Sequence, residues 1–124
     1  MTTLAVFQLL LSRLSGETDV VVGSPIAGRT RPDVEGLVGC FLNTLVLRTK
    51  LDGDPSFEEL VRRVRETALG AYAHQDVPCE RLVDELRPHR ELNRTPLFQI
   101  LFNMLLPEGE RLRGGDVSME FVLP

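Results

Sequence analysis

The pattern of the chain predicts an α/β domain, a mixed sheet with packed helices. Three observations carry this. Two stretches place apolar residues at helical spacing: Leu4, Phe7, Leu10, Leu11 and Leu14 near the start, and Phe57, Leu60, Val61, Val64, Ala68, Ala71 and Tyr72 in the middle. Short apolar runs of strand length, Val20-Val21-Val22, Leu45-Val46-Leu47 and Leu97–Met104, lie between and after them. Segments holding glycine and proline separate the two kinds of pattern. The order helix, strand, loop, strand, two helices, two strands is that of a layered α/β structure.

Taken in order, the first helix has Thr3 as a candidate N-cap and Gly16 as its stop. Asp19–Gly23 reads as a short buried strand, three valines closed by glycine. Ser24–Asp33 reads as a loop, because Pro25, Gly28 and Pro32 oppose regular structure; Arg29 and Arg31 add charge to it. Glu35–Arg48 follows as the stretch around which the chain is organised. Gly36 and Gly39 break any helix there and permit positive φ or close backbone approach. Asn43 and Thr44 suit a loop turning into a strand over Thr44–Lys50. Asp52-Gly53-Asp54-Pro55 is a turn, and Ser56 with Glu59 forms a capping box at the head of the long helix. The opposite face of that helix carries Arg62, Arg63, Arg65 and Glu66, a solvated face rather than an anion site. Asp76 ahead of Val77-Pro78 can cap a second helix with Leu82, Val83 and Leu86 facing inward, ended by Pro88. His89–Thr95 is a charged loop, Leu97–Met104 a central strand, Pro107–Gly115 a polar linker and Val117–Leu123 a last strand.

The 124 residues suffice for one modest domain. Hydrophobic content of 43% and charged content of 26% are those of ordinary globular material. A net charge of -4 argues against nucleic acid as the main partner. No apolar run approaches the roughly 20 residues that cross a bilayer, so no membrane partner is expected. Leu4–Leu14 is short and interrupted by Arg13, and it lacks the basic lead of a signal peptide. Cys40 and Cys79 have neither metal-ligand spacing nor disulfide density, which makes a reducing cytoplasm the default location. Neither end has a polar tail, and the chain is expected to be a piece of a larger protein.

Residues able to carry chemistry are few. His74 lies two positions from Asp76, and a His–Asp pair can serve as a general base when the carboxylate orients the ring. The structural reading is stronger: His74, Gln75 and Asp76 supply caps and hydrogen bonds at a tight helix–helix junction. His89 is expected in solvent, and the two cysteines are read as small buried hydrophobes. There is no phosphate loop, no dinucleotide fingerprint and no metal cluster, so the expectation is no catalytic residue, no metal and no directly bound cofactor.

Four stretches together carry a resemblance. Val38-Gly39-Cys40-Phe41-Leu42-Asn43-Thr44 resembles the I-G-x-F-x-N-T motif of nonribosomal peptide synthetase condensation domains. His74-Gln75-Asp76-Val77-Pro78-Cys79-Glu80 resembles their H-Q-D-x-P-F-E motif, and Arg90–Gln99 their R-D-x-S-R-x-P-L-F-Q motif. Asp19–Arg29 is similar to the strand and loop that precede these in the family. The four stand in the family's order and cover nearly the whole chain. Cys79 stands where Phe is usual and Asn93 where Ser is usual. The first change costs about 2–5 kcal/mol if the site is fully buried and not repacked.

The resemblance implies part of the second lobe of a two-lobed, chloramphenicol-acetyltransferase-like fold, with the first (N-terminal) lobe of the same domain as a partner. It implies amide formation between acyl and aminoacyl thioesters held on carrier proteins by phosphopantetheine arms, which would be the partners rather than a bound cofactor. It further implies that Gly36, Gly39, Phe41, Asn43 and Thr44 help line a tunnel between lobes. His74, Gln75, Asp76, Pro78, Arg94 and Pro96 fall on motif positions with a structural role. The family's catalytic H-H-x-x-x-D-G motif is not in this chain, and His74 is not its counterpart. A catalytically inactive lobe acting as a binding module is the alternative. A related epimerisation family carries N-Y-L-G, which Asn103-Met104-Leu105-Leu106 does not match.

Overall fold

A computed structural model describes residues 1–87 and 95–104, with the backbone of 112–114 and 117–119. Helix α1 (Thr2–Ser15) leads into strand β1 (Asp19–Ile26), short helix α2 (Pro32–Glu35), strand β2 (Asn43–Lys50) and helices α3 (Phe57–Ala73) and α4 (Cys79–Leu86). Strands β3 (Leu112–Gly114) and β4 (Val117–Met119) pair antiparallel. β3 therefore lies inside the stretch expected to be a linker. The expected loop at His89 and the motif position Arg94 fall outside the described residues.

β1 and β2 form an antiparallel pair in a register that sets Val22 opposite Leu47 and Ile26 opposite Asn43. Alternation sends Val20 and Val22 of β1, and Leu45, Leu47 and Thr49 of β2, to one buried face. Leu60, Val64 and Ala68 of α3 pack there at helical spacing, with Leu4 and Ala5 of α1. Burial of this kind stabilises at about 25 cal/mol per Å² of apolar surface.

α1 starts two residues earlier than expected. The Ala5 amide donates to the Met1 carbonyl, which makes Met1 rather than Thr3 the N-cap. Its buried face is Leu4, Ala5 and Gln8, while Leu10 and Leu14 are exposed. Apolar residues surround this helix on nearly all sides, so periodicity alone could not select the face. Gln8 is fully buried; its Nε2 donates to the Leu47 carbonyl at 3.3 Å. Gly16 ends the helix as expected, at φ 77°.

β1 runs three residues past its expected end, through Pro25. The Gly23 amide and carbonyl bond to Ile100 and Phe102, on the side away from β2. Pro25 shares Gly23's parity, so its missing N–H faces away from the β2 ladder and costs that ladder nothing. Gly23 also explains why Leu97–Met104 is not the central strand its composition suggested. The segment meets β1 through a single parallel bridge, Gly23 to Leu101. A Cβ at Gly23 would stand 2.6 Å from the Phe98 ring and 2.8 Å from Leu101, so close approach at one glycine replaces a long ladder.

The turn after β2 uses Gly53 at φ 81°. Ser56 then caps α3, its hydroxyl accepting from the Glu59 amide at 3.3 Å. Glu59 does not complete the capping box. Its carboxylate accepts instead from Arg62 at 2.7 and 2.8 Å and from Arg63 at 3.0 Å. Arg63 also donates to the carbonyls of Lys50 and Asp52, which fastens α3 to the end of β2.

Candidate functional site

Residues from three of the four motif stretches meet at one end of the β1–β2 pair. A shallow groove there, of about 280 Å³, has Cys40, Phe41 and Leu42 on one wall and Gln75, Asp76, Pro78 and Glu80 on the other. Gly28 and Asn43 complete its lining. Stretches more than 30 residues apart in sequence thus form one feature.

The first wall is built by Arg29. Its guanidinium donates to the Val34 carbonyl, to that of Glu35 at 3.2 Å and to that of Gly39 at 3.2 Å. It also lies over the Phe41 ring, 4.4 Å from the centroid. These contacts draw α2 and the loop after it around one side chain, as a planar fork with several donors allows. Gly28 adds the close contact. It sits at φ 65°, and a Cβ there would stand 1.9 Å from the Phe41 carbonyl oxygen. Neither Gly36 nor Gly39 supplies the positive φ expected of them. Gly36 has φ -84° and open space around it, and Gly39 meets only the Phe41 ring at an ordinary φ. Sequence reasoning treated Arg29 as mere loop charge. No local spacing links it to acceptors up to ten residues away.

The second wall is the junction between α3 and α4. His74 is the C-cap of α3, exposed, with its amide bonded to the Ala71 carbonyl. Its carbonyl accepts from the Val77 amide at 3.1 Å. Asp76 does not cap α4. Pro78 occupies the N-cap position and offers no side-chain bond. The cap comes from Asn43, whose Oδ1 accepts from the Cys79 amide at 3.1 Å and the Thr44 amide at 2.8 Å. Its Nδ2 donates to the carbonyls of Gln75 at 2.8 Å and Val77 at 2.9 Å. Two amide donors meet one end and two carbonyl acceptors the other, so the chemistry itself fixes the orientation of the side chain. Cys79 is only partly buried, so the full cost of replacing a buried Phe does not apply. Burial, and then the Glu80 charge, push its thiol above the ordinary range.

Of the residues expected along a tunnel, Phe41 and Asn43 line the groove. A Cβ added at Gly39 would meet the Phe41 ring, but Gly36, Gly39 and Thr44 are not in the lining of the groove. Gln75, Asp76 and Pro78 line it, His74 does not, and Pro96 lies exposed in a bend elsewhere. Among the described residues no cluster of His, Cys, Asp and Glu is arranged to hold a metal. Among them, too, no helix is long and apolar enough to cross a membrane.

Among the described residues the strands pair antiparallel, β1 with β2 and β3 with β4, rather than in the mixed sheet expected. With helices packed on the first pair and a groove where separate motif stretches converge, they define the class: the fold of a condensation-domain lobe. The sequence model of the condensation domain family matches residues 1–120, and the chain belongs to that family. It is 61% identical over 102 residues to a component of the linear gramicidin synthase of Brevibacillus parabrevis, covering 82% of this chain and 2% of that protein. Among solved structures, a four-domain nonribosomal peptide synthetase bound to AMP and glycine superimposes with a TM-score of 0.80 at 30% identity. That match covers 93% of this chain and 8% of the synthetase. The X-domain from teicoplanin biosynthesis, in its complex with OxyB, gives 0.75 at 32% identity over 86% of this chain and 24% of that one. The chain thus spans a small part of each relative.

Proposed function

We propose that the chain is part of the second lobe of a condensation domain that forms amide bonds in nonribosomal peptide synthesis, and that its groove belongs to the substrate path. In that reaction a downstream amine nitrogen attacks the carbonyl of an upstream thioester. The C–S bond breaks, the thiol leaves on its carrier, and the amine loses a proton. Both substrates would arrive on phosphopantetheine arms of carrier proteins, in the cytoplasm. The lobe would supply the floor and wall of the path, and the catalytic histidines would come from the first lobe of the same domain.

The observation that carries this reading is the convergence of three of the family's four motif stretches on one groove in a chain of that family. Phe41 and Leu42 give an apolar wall suited to an acyl chain. The test is Gly39→Val in the intact synthetase, scored by amide formation. A Cβ at Gly39 already stands 3.2 Å from the Phe41 ring, so the larger side chain displaces that wall. The expected result is slowed condensation in a folded protein; normal turnover with normal folding counts against the reading.

A second reading has one observation behind it. The similar X-domain is seen in a complex with OxyB, so this lobe fold also serves in a protein that binds a protein. A non-catalytic binding role for this chain would predict that Gly39→Val leaves condensation untouched.

A further inference from the structure

The two walls of the groove are joined at one place. Cys40–Leu42 belongs to the chain entering β2, while Gln75–Glu80 belongs to the α3–α4 junction. Asn43, the first residue of β2, bonds to Gln75, Val77 and Cys79 across that gap and to Thr44 on its own strand. Its donors and acceptors are all in use, so the side chain cannot turn without losing several bonds at once. Among the described residues no other side chain hydrogen-bonds the junction to the strand.

Apolar packing does not make this connection redundant. No residue of α4 is buried, and Val77 and Leu86 are exposed. The core under α3, by contrast, is closed by Leu60, Val64 and Ala68 without any part of the junction. The junction can therefore shift while the core stays folded, and the Asn43 amide opposes that shift.

We propose that Asn43 is a positioning residue for condensation: it sets the separation of the groove's two walls and thereby the seat of the acyl groups. This rests on the reading of the groove as part of the substrate path. Asn43 does no chemistry itself; it acts through the Gln75–Cys79 backbone.

The experiment uses the intact synthetase with Asn43→Ala and Asn43→Asp, and Gly39→Val on the opposite wall as a reference. Three quantities are read: kcat and KM for the carrier-bound substrates, hydrogen exchange at the Cys79 amide, and the melting transition. Asn43→Ala is expected to speed exchange at Cys79 and to lower kcat by roughly 10-fold or more, as misplacement of reacting groups does, while KM stays nearly constant. Asn43→Asp keeps the acceptors for Thr44 and Cys79 but sets a carboxylate against the Gln75 and Val77 carbonyls. Protonation restores one donor, so its relative rate should rise as pH falls, and that of the parent should not. Asp76 and Glu80 beside it favour the protonated acid, Arg29 behind Phe41 opposes it, and the neutral Cys79 thiol contributes no charge there.

Faster exchange at Cys79 with unchanged kcat in both variants would show a clamp that serves the fold alone and would overturn the inference. Unchanged exchange would show that there is no clamp. If Asn43→Ala fails to fold, the Asn43→Asp pH profile decides, and a profile parallel to the parent overturns the proposal. A slow Gly39→Val with a full-rate Asn43→Ala defeats this inference only. Full rates in both defeat the groove reading and the inference with it.

Discussion

The packed core and the motif groove are held by different forces. Around β1, β2, α1 and α3, apolar side chains close on one another until Val22, Leu60, Val64 and Ala68 have 0–1% of their surface left. Around the groove, Leu37, Val38 and Leu42 are exposed, and order comes from Arg29 and Asn43 bonding to backbone carbonyls and amides. Burial is non-directional and adds with area. A side-chain clamp is directional and depends on one residue. A loss in the core is therefore spread over the whole fold, whereas the loss of one clamp at the groove acts first on local geometry.

The largest expected effect breaks the core side of this comparison. Leu60→Ala should cost about 2–5 kcal/mol, since it opens a cavity at a site 1% exposed. A denaturant midpoint checks it, and a loss within that of a surface substitution would show that the core can collapse around the gap.

Next comes a pair of glycines on the groove side. Gly28→Ala forces a side chain into a left-handed residue, at about 1–2 kcal/mol. Its Cβ also falls 1.9 Å from the Phe41 carbonyl oxygen, a backbone atom that must move; overpacking of that kind adds about 1–3 kcal/mol. Gly39→Ala has an ordinary φ and meets only the edge of the Phe41 ring, so its midpoint should stay close to the parent's. Equal losses at the two positions would mean that glycine is needed along the whole loop and not at one contact.

The smallest effect is electrostatic and sits on the solvated face of α3. Bonds from Arg62 and then Arg63 hold the Glu59 carboxyl down at about 2 from its ordinary 4.5. A lowered acid contributes stability that is present above its unfolded value and is lost as pH falls through the folded one. Acid titration from about pH 5 to pH 2 should therefore remove a small increment, and Glu59→Gln should flatten that part of the curve. An identical acid profile in the variant would show that the exposed ion pairs contribute nothing measurable.

What was legible in the sequence follows the same division. Helix α3 could be read, because its apolar period, its Ser56 cap and the turn at Gly53 all lie within a few residues of one another. The buried Gln8 could not, because α1 is apolar on too many sides for periodicity to place its face. The strand expected at Leu97–Met104 shrank to one bridge, because the approach depends on which residue of β1 stands opposite, and that residue is Gly23.

By itself the sequence determined the α/β class, two of the strand positions, the long amphipathic helix and the motif stretches that mark the family. Those features are local, set by side-chain period, caps and turn residues. The tertiary structure alone decided which glycine is indispensable, which residue caps α4 and where the motifs meet. The Arg29 and Asn43 side chains reach partners up to 36 residues away, and such contacts exist only once the sheet register has brought the segments together.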